Sequence, residues 1–169
     1  MEKVLPGLAM LAIAAVVFVL IWLGWRNRLR RQSDIAQLPA VPVGLGEPLL
    51  SADGQYVAST TAGDWLDRVA VHGLGIRTNA ELSIHPEGVL LDRAGAGPLF
   101  IPAASLAGVR QDSGMAGKFV EKDGLLVLSW MLGTHALDTG FRTRRAADKP
   151  AILQQLQEMI SPGPQAGAQ

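Results

Sequence analysis

No cysteine occurs in the chain, which excludes disulfides, thiolate zinc sites and a cysteine nucleophile together. The absence leaves the compartment open, because cytoplasmic domains need no disulfides and many exported bacterial proteins lack them. Histidine is scarce as well. His72, His85 and His135 stand apart, with neither an HExxH nor a His-x-His spacing, so each reads as a surface or satisfied polar residue and His85, beside Pro86, as a turn residue. No serine lies in a Gly-x-Ser-x-Gly elbow, and Ser105 in Ala104-Ser105-Leu106 reads as part of a short turn. The stretch Gly73-Leu74-Gly75-Ile76-Arg77-Thr78 lacks the third glycine of a phosphate-binding fingerprint and reads as a turn before a strand. With nucleophile, base and metal sets all missing, no catalytic residue, cofactor or metal is expected and the protein is read as a non-enzyme.

A net charge is missing too, since 15 basic and 15 acidic residues cancel. The cancellation hides an asymmetry. From Ile35 onward, ten basic residues face thirteen acidic ones, a net of minus three that excludes a general nucleic-acid binder. The five remaining cations, Lys3 and Arg26, Arg28, Arg30 and Arg31, lie at the amino-terminal end, around the most informative stretch of the chain.

Val4 to Trp25 contains no charged side chain. As a helix it rises roughly 33 Å at 1.5 Å per residue, enough for a hydrocarbon core of about 30 Å. A signal peptide would carry its charge before a shorter run and end in small residues, whereas this run ends in Gly24, Trp25 and the arginines, so a retained single-pass anchor is expected. Basic residues flanking a span stay in the cytosol, which places the N-terminus outside and the C-terminal domain at the inner face of the plasma membrane. Trp22 and Trp25 read as headgroup-level anchors beside Arg26, Arg28, Arg30 and Arg31. Pro6 falls in the first turn, where a missing backbone donor costs little. One helix without an internal acid, base or amide encloses no transport path.

Beyond the span, residues 26–54 read as a basic flank and a linker with Pro39, Pro42 and Pro48 among glycines. An equally weighted alternative is an ordered loop packed on the domain through Val41, Val43, Leu45, Leu49 and Leu50. Residues 55–161 read as one mainly β domain. Short apolar, β-branched runs cut by glycine turns predict strands near 55–61, 79–85, 89–93, 99–102, 108–112, 125–131 and 134–141. Pro86, Glu87 and Gly88 form a hairpin turn. Leu125 to Leu128 is apolar on both faces and needs an outer cover. A C-terminal amphipathic helix presenting Ile152, Leu153, Leu156, Met159 and Ile160 is the candidate, with Asp148 as its N-cap, Pro150 in its first turn and Pro162 as its stop. Gly63 to Ile76 reads as a loop or short helix with Trp65 and Leu66 packed on the sheet edge, and 162–169 as a disordered tail.

About seven strands closed by one helix is the layout of a pleckstrin-homology-like (PH-like) barrel. The phrases Gly63-Asp64-Trp65-Leu66-Asp67-Arg68, His85-Pro86-Glu87-Gly88-Val89-Leu90-Leu91-Asp92-Arg93, Ile101-Pro102-Ala103-Ala104-Ser105-Leu106 and Leu137-Asp138-Thr139-Gly140-Phe141-Arg142 resemble an actinobacterial family of single-span membrane proteins with a bacterial PH-like domain. The resemblance covers the chain from anchor to final helix. It implies a small β-barrel with a C-terminal helix and a gene often found among those of pyrimidine biosynthesis, and it supplies no activity. Family labels such as transporter or export protein fit poorly with a lone span. The basic cluster that lipid-binding PH domains carry in their first hairpin is not present, so phosphoinositide binding is not expected.

Arg142, Arg144 and Arg145, with Lys149 near, form the one basic cluster of the domain, a possible lipid or partner contact. The competing reading is a solvated helix entrance whose arginines pair with Asp138 and Asp148. Together these features predict a membrane-anchored cytoplasmic module that recruits or regulates a protein partner through an edge strand or the groove between helix and sheet. The alternative is an accessory subunit of a membrane transport or export complex that packs through its span.

Overall fold

The structure is a computed structural model that describes residues 4–32 and 34–161. The chain divides after residue 34 into two compact units.

The first unit is helix α1, Val4–Arg31. Its Gly7–Gly24 segment has a mean hydropathy of 2.6 and presents its apolar side chains on every face, so it is long and apolar enough to cross a membrane. The helix continues six residues beyond Trp25, through the arginine segment. Arginine is a good helix former, and cations are favoured at a helix C-terminus by the macrodipole. Arg26 lies with its guanidinium 5.2 Å from the centre of the Trp22 ring, one turn back. The side chains of Trp25, Arg28, Arg30 and Arg31 lie outside the described residues, as does the tail 162–169.

The second unit, which begins at Ile35, is mainly β. Strands β1 (Leu50–Thr61), β2 (Thr78–His85), β3 (Gly88–Arg93), β4 (Leu99–Pro102), β5 (Leu106–Asp112), β8 (Leu125–Leu132) and β9 (His135–Thr143) form one antiparallel sheet in the order β4-β3-β2-β1-β9-β8-β5. A ribbon of β6 (Gly114–Met115) and β7 (Lys118–Phe119) stands apart from it. All seven expected strands form. β1 starts at Leu50, earlier than predicted, because the ladder runs on through Gly54 into the expected linker: Leu50 to Tyr56 pair with Ile84 to Thr78, and Leu49 N–H donates to Ile84 O.

β1 is the joint of the sheet. Its first half pairs with β2 and its second half, Gly54 to Thr61, with β9, with a register shift between Tyr56 and Ala58. Such a bulge bends a strand and lets one sheet turn a corner. Ahead of it, exposed and buried positions alternate; beyond it, Val57 to Thr60 are buried on both faces. The inner face joins Tyr56, Leu82, Ile84, Leu126, Leu128, Trp130 and Phe141 in the main core.

α2, Lys149–Ile160, closes this core with Ile152 and Leu156 fully buried and Leu153, Met159 and Ile160 at their margin. It is not the cover of the outer face of β8. Val57, Leu125 and Val127 are covered instead by Met115, Ala116 and Val120 of the β6–β7 ribbon and its exit. Asp148 begins the helix without capping it: its carboxylate accepts from Arg145 Nε at 3.0 Å, and no side-chain bond reaches the backbone. In the lead-in, Ile35, Leu38 and Leu50 pack on the core, whereas Val43 and Leu49 are exposed, so the segment is tied down by residues other than most of those expected.

The single tyrosine of the chain, Tyr56, donates its phenolic O–H to Leu74 O at 2.7 Å and is 2.9 Å from Ser59 Oγ. Ser59 Oγ lies 2.7 Å from Thr139 Oγ1, which accepts from Trp130 Nε1 at 2.9 Å. Burial pushes the Tyr56 phenol up to about 12, with Ser59 and Arg93 pulling weakly the other way. A phenol whose folded pKa lies above the unfolded value of about 10 stabilises the fold fully below pH 10 and loses that contribution as pH rises toward 12. Absorbance at 295 nm should therefore show no tyrosinate at pH 10.5 while the circular dichroism is native. Half-titration near pH 10 in the folded protein would contradict the buried network.

Candidate interaction surface

The segment between β1 and β2 folds back on its own strand. Thr60 bridges Arg68, Thr61 N–H donates to Asp67 O, Val69 N–H to Ser59 O and Ser59 N–H to Leu74 O. Asp64 Oδ1 accepts from the N–H groups of Leu66 and Asp67, the local turn chemistry favoured by aspartate. Trp65 and Leu66 are thereby lifted to the tip of a fixed loop. They are not packed on the sheet edge as predicted, being 42% and 59% exposed.

The β6–β7 ribbon meets this tip. Ala116 N–H donates to Trp65 O, and Arg68 donates to the carbonyls of Gly75 and Ala116, so one guanidinium joins both segments. The ribbon turns through Ala116 and Gly117, both with positive φ, which matches the twist of a two-residue hairpin. Phe119 follows, 78% exposed, its ring 5.7 Å from that of Trp65 and tilted by 54°. The domain has six aromatic residues; Tyr56, Phe100, Trp130 and Phe141 are buried, and the two that are not stand side by side.

Beside the rings is an open cavity of about 300 Å3 floored by an ion pair. Arg110 donates to Asp138 Oδ2 at 2.9 Å and to Ser129 Oγ at 3.0 Å, and Ser129 Oγ donates to Asp138 Oδ1 at 2.6 Å. Burial alone would raise the Asp138 carboxyl; the hydrogen bonds from Arg110, Ser129 and the Gly63 N–H outweigh it and hold the group below the ordinary range. Asp112, 3.7 Å from Arg110 Nε, sits at the rim.

Two arginines of the predicted basic cluster are engaged by acidic neighbours. Arg142 makes a two-pronged contact with Glu121 at 2.7 and 3.3 Å. Arg145 pairs with Asp148, as the solvated-entrance reading expects, but Asp138 is taken by Arg110 and meets none of the three. Arg144 is exposed, and among the described residues its guanidinium makes no hydrogen bond or ion pair. With Arg142 and Lys149 it lines a polar cavity of about 340 Å3 at the corner of β1.

Arg93, which the sequence marks only as a strand end, is 2% exposed and lies 4.9 Å from the centre of the Tyr56 ring. It donates to the carbonyls of Gly97, Gly73 and His72, tying the β1–β2 loop to the β3–β4 turn. Gly73 thus turns a carbonyl toward an arginine, which is no cradle for a phosphate. His85 closes β2 and is buried beside Ser83 Oγ at 3.2 Å, rather than standing in the turn. No group of three metal-ligating side chains forms among the described residues.

A family model described as bacterial PH domain-like matches residues 35–157. Among solved structures, the C-terminal domain of an unknown protein from Leishmania infantum is similar at 13% identity, covering 83% of this chain and 99% of that one, with a TM-score of 0.44. The C-terminal PH domain of human FYVE, RhoGEF and PH domain containing protein 3 is similar at 15% identity, covering 74% and 98%, with a TM-score of 0.43. No curated protein matches the chain.

Proposed function

Since the chain belongs to the bacterial PH domain-like family, we propose that it is a membrane-anchored, non-catalytic module that recruits or regulates a protein partner at the inner face of the plasma membrane. α1 is the single span, with the N-terminus outside, and Arg26, Arg28, Arg30 and Arg31 hold its cytosolic end while Trp22 and Trp25 set its depth. The observation that carries the recruiting role is the exposed Trp65–Phe119 pair, held by the Arg68 clamp on two loops. Arg144 is the cation of its cluster left to meet lipid phosphate, with Arg142 and Arg145 engaged by acids.

The lack of cysteine makes the topology directly testable. A lone cysteine introduced as Ser161→Cys should resist a non-permeant maleimide in intact cells and react after lysis. Labelling in intact cells would overturn the orientation. Native-membrane purification should yield a partner that stays bound when α1 is exchanged for an unrelated span. Loss of the partner on that exchange would favour an accessory subunit packing through α1, whose apolar side chains face outward all round.

A further inference from the structure

The chemistry around the aromatic pair narrows the class of partner. Asp64 and Asp67 lie on the loop that carries Trp65, and Asp112 and Asp138 edge the adjoining cavity. Arg68 and Arg110 are the cations of the same surface among the described side chains, and Lys118 precedes Phe119 on the ribbon, so four carboxylates against three cations leave one negative charge in excess. Both guanidiniums are also engaged within the fold, Arg68 by the carbonyls of Gly75 and Ala116, and Arg110 by Asp138 and Ser129. The aromatic faces add to this field, because a ring quadrupole presents negative charge to whatever lies on it. An anionic leaflet would be repelled by such a surface and would have to desolvate its carboxylates.

We infer that the Trp65–Phe119 surface docks a basic segment of a partner protein, with an arginine or lysine laid against the rings and directed at Asp112, and a neighbouring apolar side chain covering Leu66. The inference rests on the recruiting role proposed above and names the partner's chemistry. The site is small: the cavity of about 300 Å3 takes one long side chain and little more. It is also preformed, since Arg68 and the Ala116-to-Trp65 backbone bond fix the two loops before anything arrives, which limits the ordering cost of binding.

The test uses the full chain in neutral phosphatidylcholine nanodiscs and, as a probe, a capped hexapeptide of alternating arginine and leucine. Its control replaces arginine by glutamate. The chain has four tryptophans, and the indole N–H resonance of Trp65 is assigned by its loss in Trp65→Phe. The basic peptide should shift that resonance and the acidic one should not. Binding should weaken about tenfold in Phe119→Ala and about threefold in Asp112→Asn, and should fall steeply with salt. Equal binding of both peptides, or unchanged binding in Phe119→Ala, overturns the inference. So does a Trp65 shift produced without peptide by substituting phosphatidylglycerol, which would make the bilayer the occupant. Native-membrane purification separates this failure from that of the recruiting role. A partner retained equally by wild type and Phe119→Ala keeps the role and removes this site, whereas no partner in either removes both.

Discussion

Replacing Arg93 by methionine is expected to lower the stability of the domain by about 3 kcal/mol and its melting temperature by about 10 °C. The side chain is 2% exposed and its guanidinium has no acid partner among the described residues; it is satisfied by the carbonyls of Gly97, Gly73 and His72. Methionine fills similar space but strands those carbonyls, and a buried acceptor left without a donor costs roughly 1–3 kcal/mol. Arg93→Lys should recover less than half of the loss, since an ammonium cannot span three acceptors in the plane of a fork. Thermal melts of the full chain in detergent decide the matter, and a change below about 2 °C would mean that water replaces the guanidinium at no cost. The consequence reaches the surface. His72 and Gly73 belong to the same loop as Trp65, so the variant should also broaden the Trp65 indole resonance, linking a core arginine to the presentation of the aromatic pair.

How much of this was legible in the sequence depends on the kind of signal. Strand periodicity survives translation into structure in part: Leu82 and Ile84 are buried in the main core, but Ser83 and His85 beside them are buried too, while the stripe from Ile152 to Ile160 faces the core. The same alternation ran through Leu50, Ala52 and Tyr56, but Gly54 reads as punctuation when only the local sequence is seen. The β6–β7 ribbon was not legible at all, because its strands are two residues each and its turn uses Ala116-Gly117 where Asn-Gly would announce itself. With the ribbon went Phe119, and without Phe119 the exposure of Trp65 has no partner to give it meaning. The basic cluster was visible as composition, yet which carboxylate meets which arginine is a tertiary fact: Arg110 enters from β5 and Glu121 from the loop between β7 and β8, and they decide that Arg142 is paired and Asp138 unavailable.

Gly54→Ala should cost about 3 kcal/mol, whereas the same change at Gly108 should be neutral or slightly stabilising. A Cβ on Gly54 would fall 2.3 Å from Arg142 O and 2.5 Å from Phe141 Cζ. The carbonyl belongs to the β1–β9 ladder, which runs through Gly54 and Thr143, and the ring is fully buried in the core. Neither can withdraw unless the corner of the sheet opens, which is why the penalty sits at the top of the range for overpacking. At Gly108, in the edge strand β5, the nearest atom to an added Cβ is Ser129 Cβ at 3.9 Å, an ordinary contact. There the methyl group mainly reduces the freedom of the unfolded chain, a gain of up to about 1 kcal/mol. Urea titrations of the two variants should place their midpoints on opposite sides of the wild type or, for Gly108→Ala, level with it, with Gly54→Ala lower by about 1–2 M. A Gly54→Ala midpoint equal to that of the wild type would show that β1 does not pass between β2 and β9 at this residue. The joint on which both halves of the sheet depend would then have to be placed elsewhere.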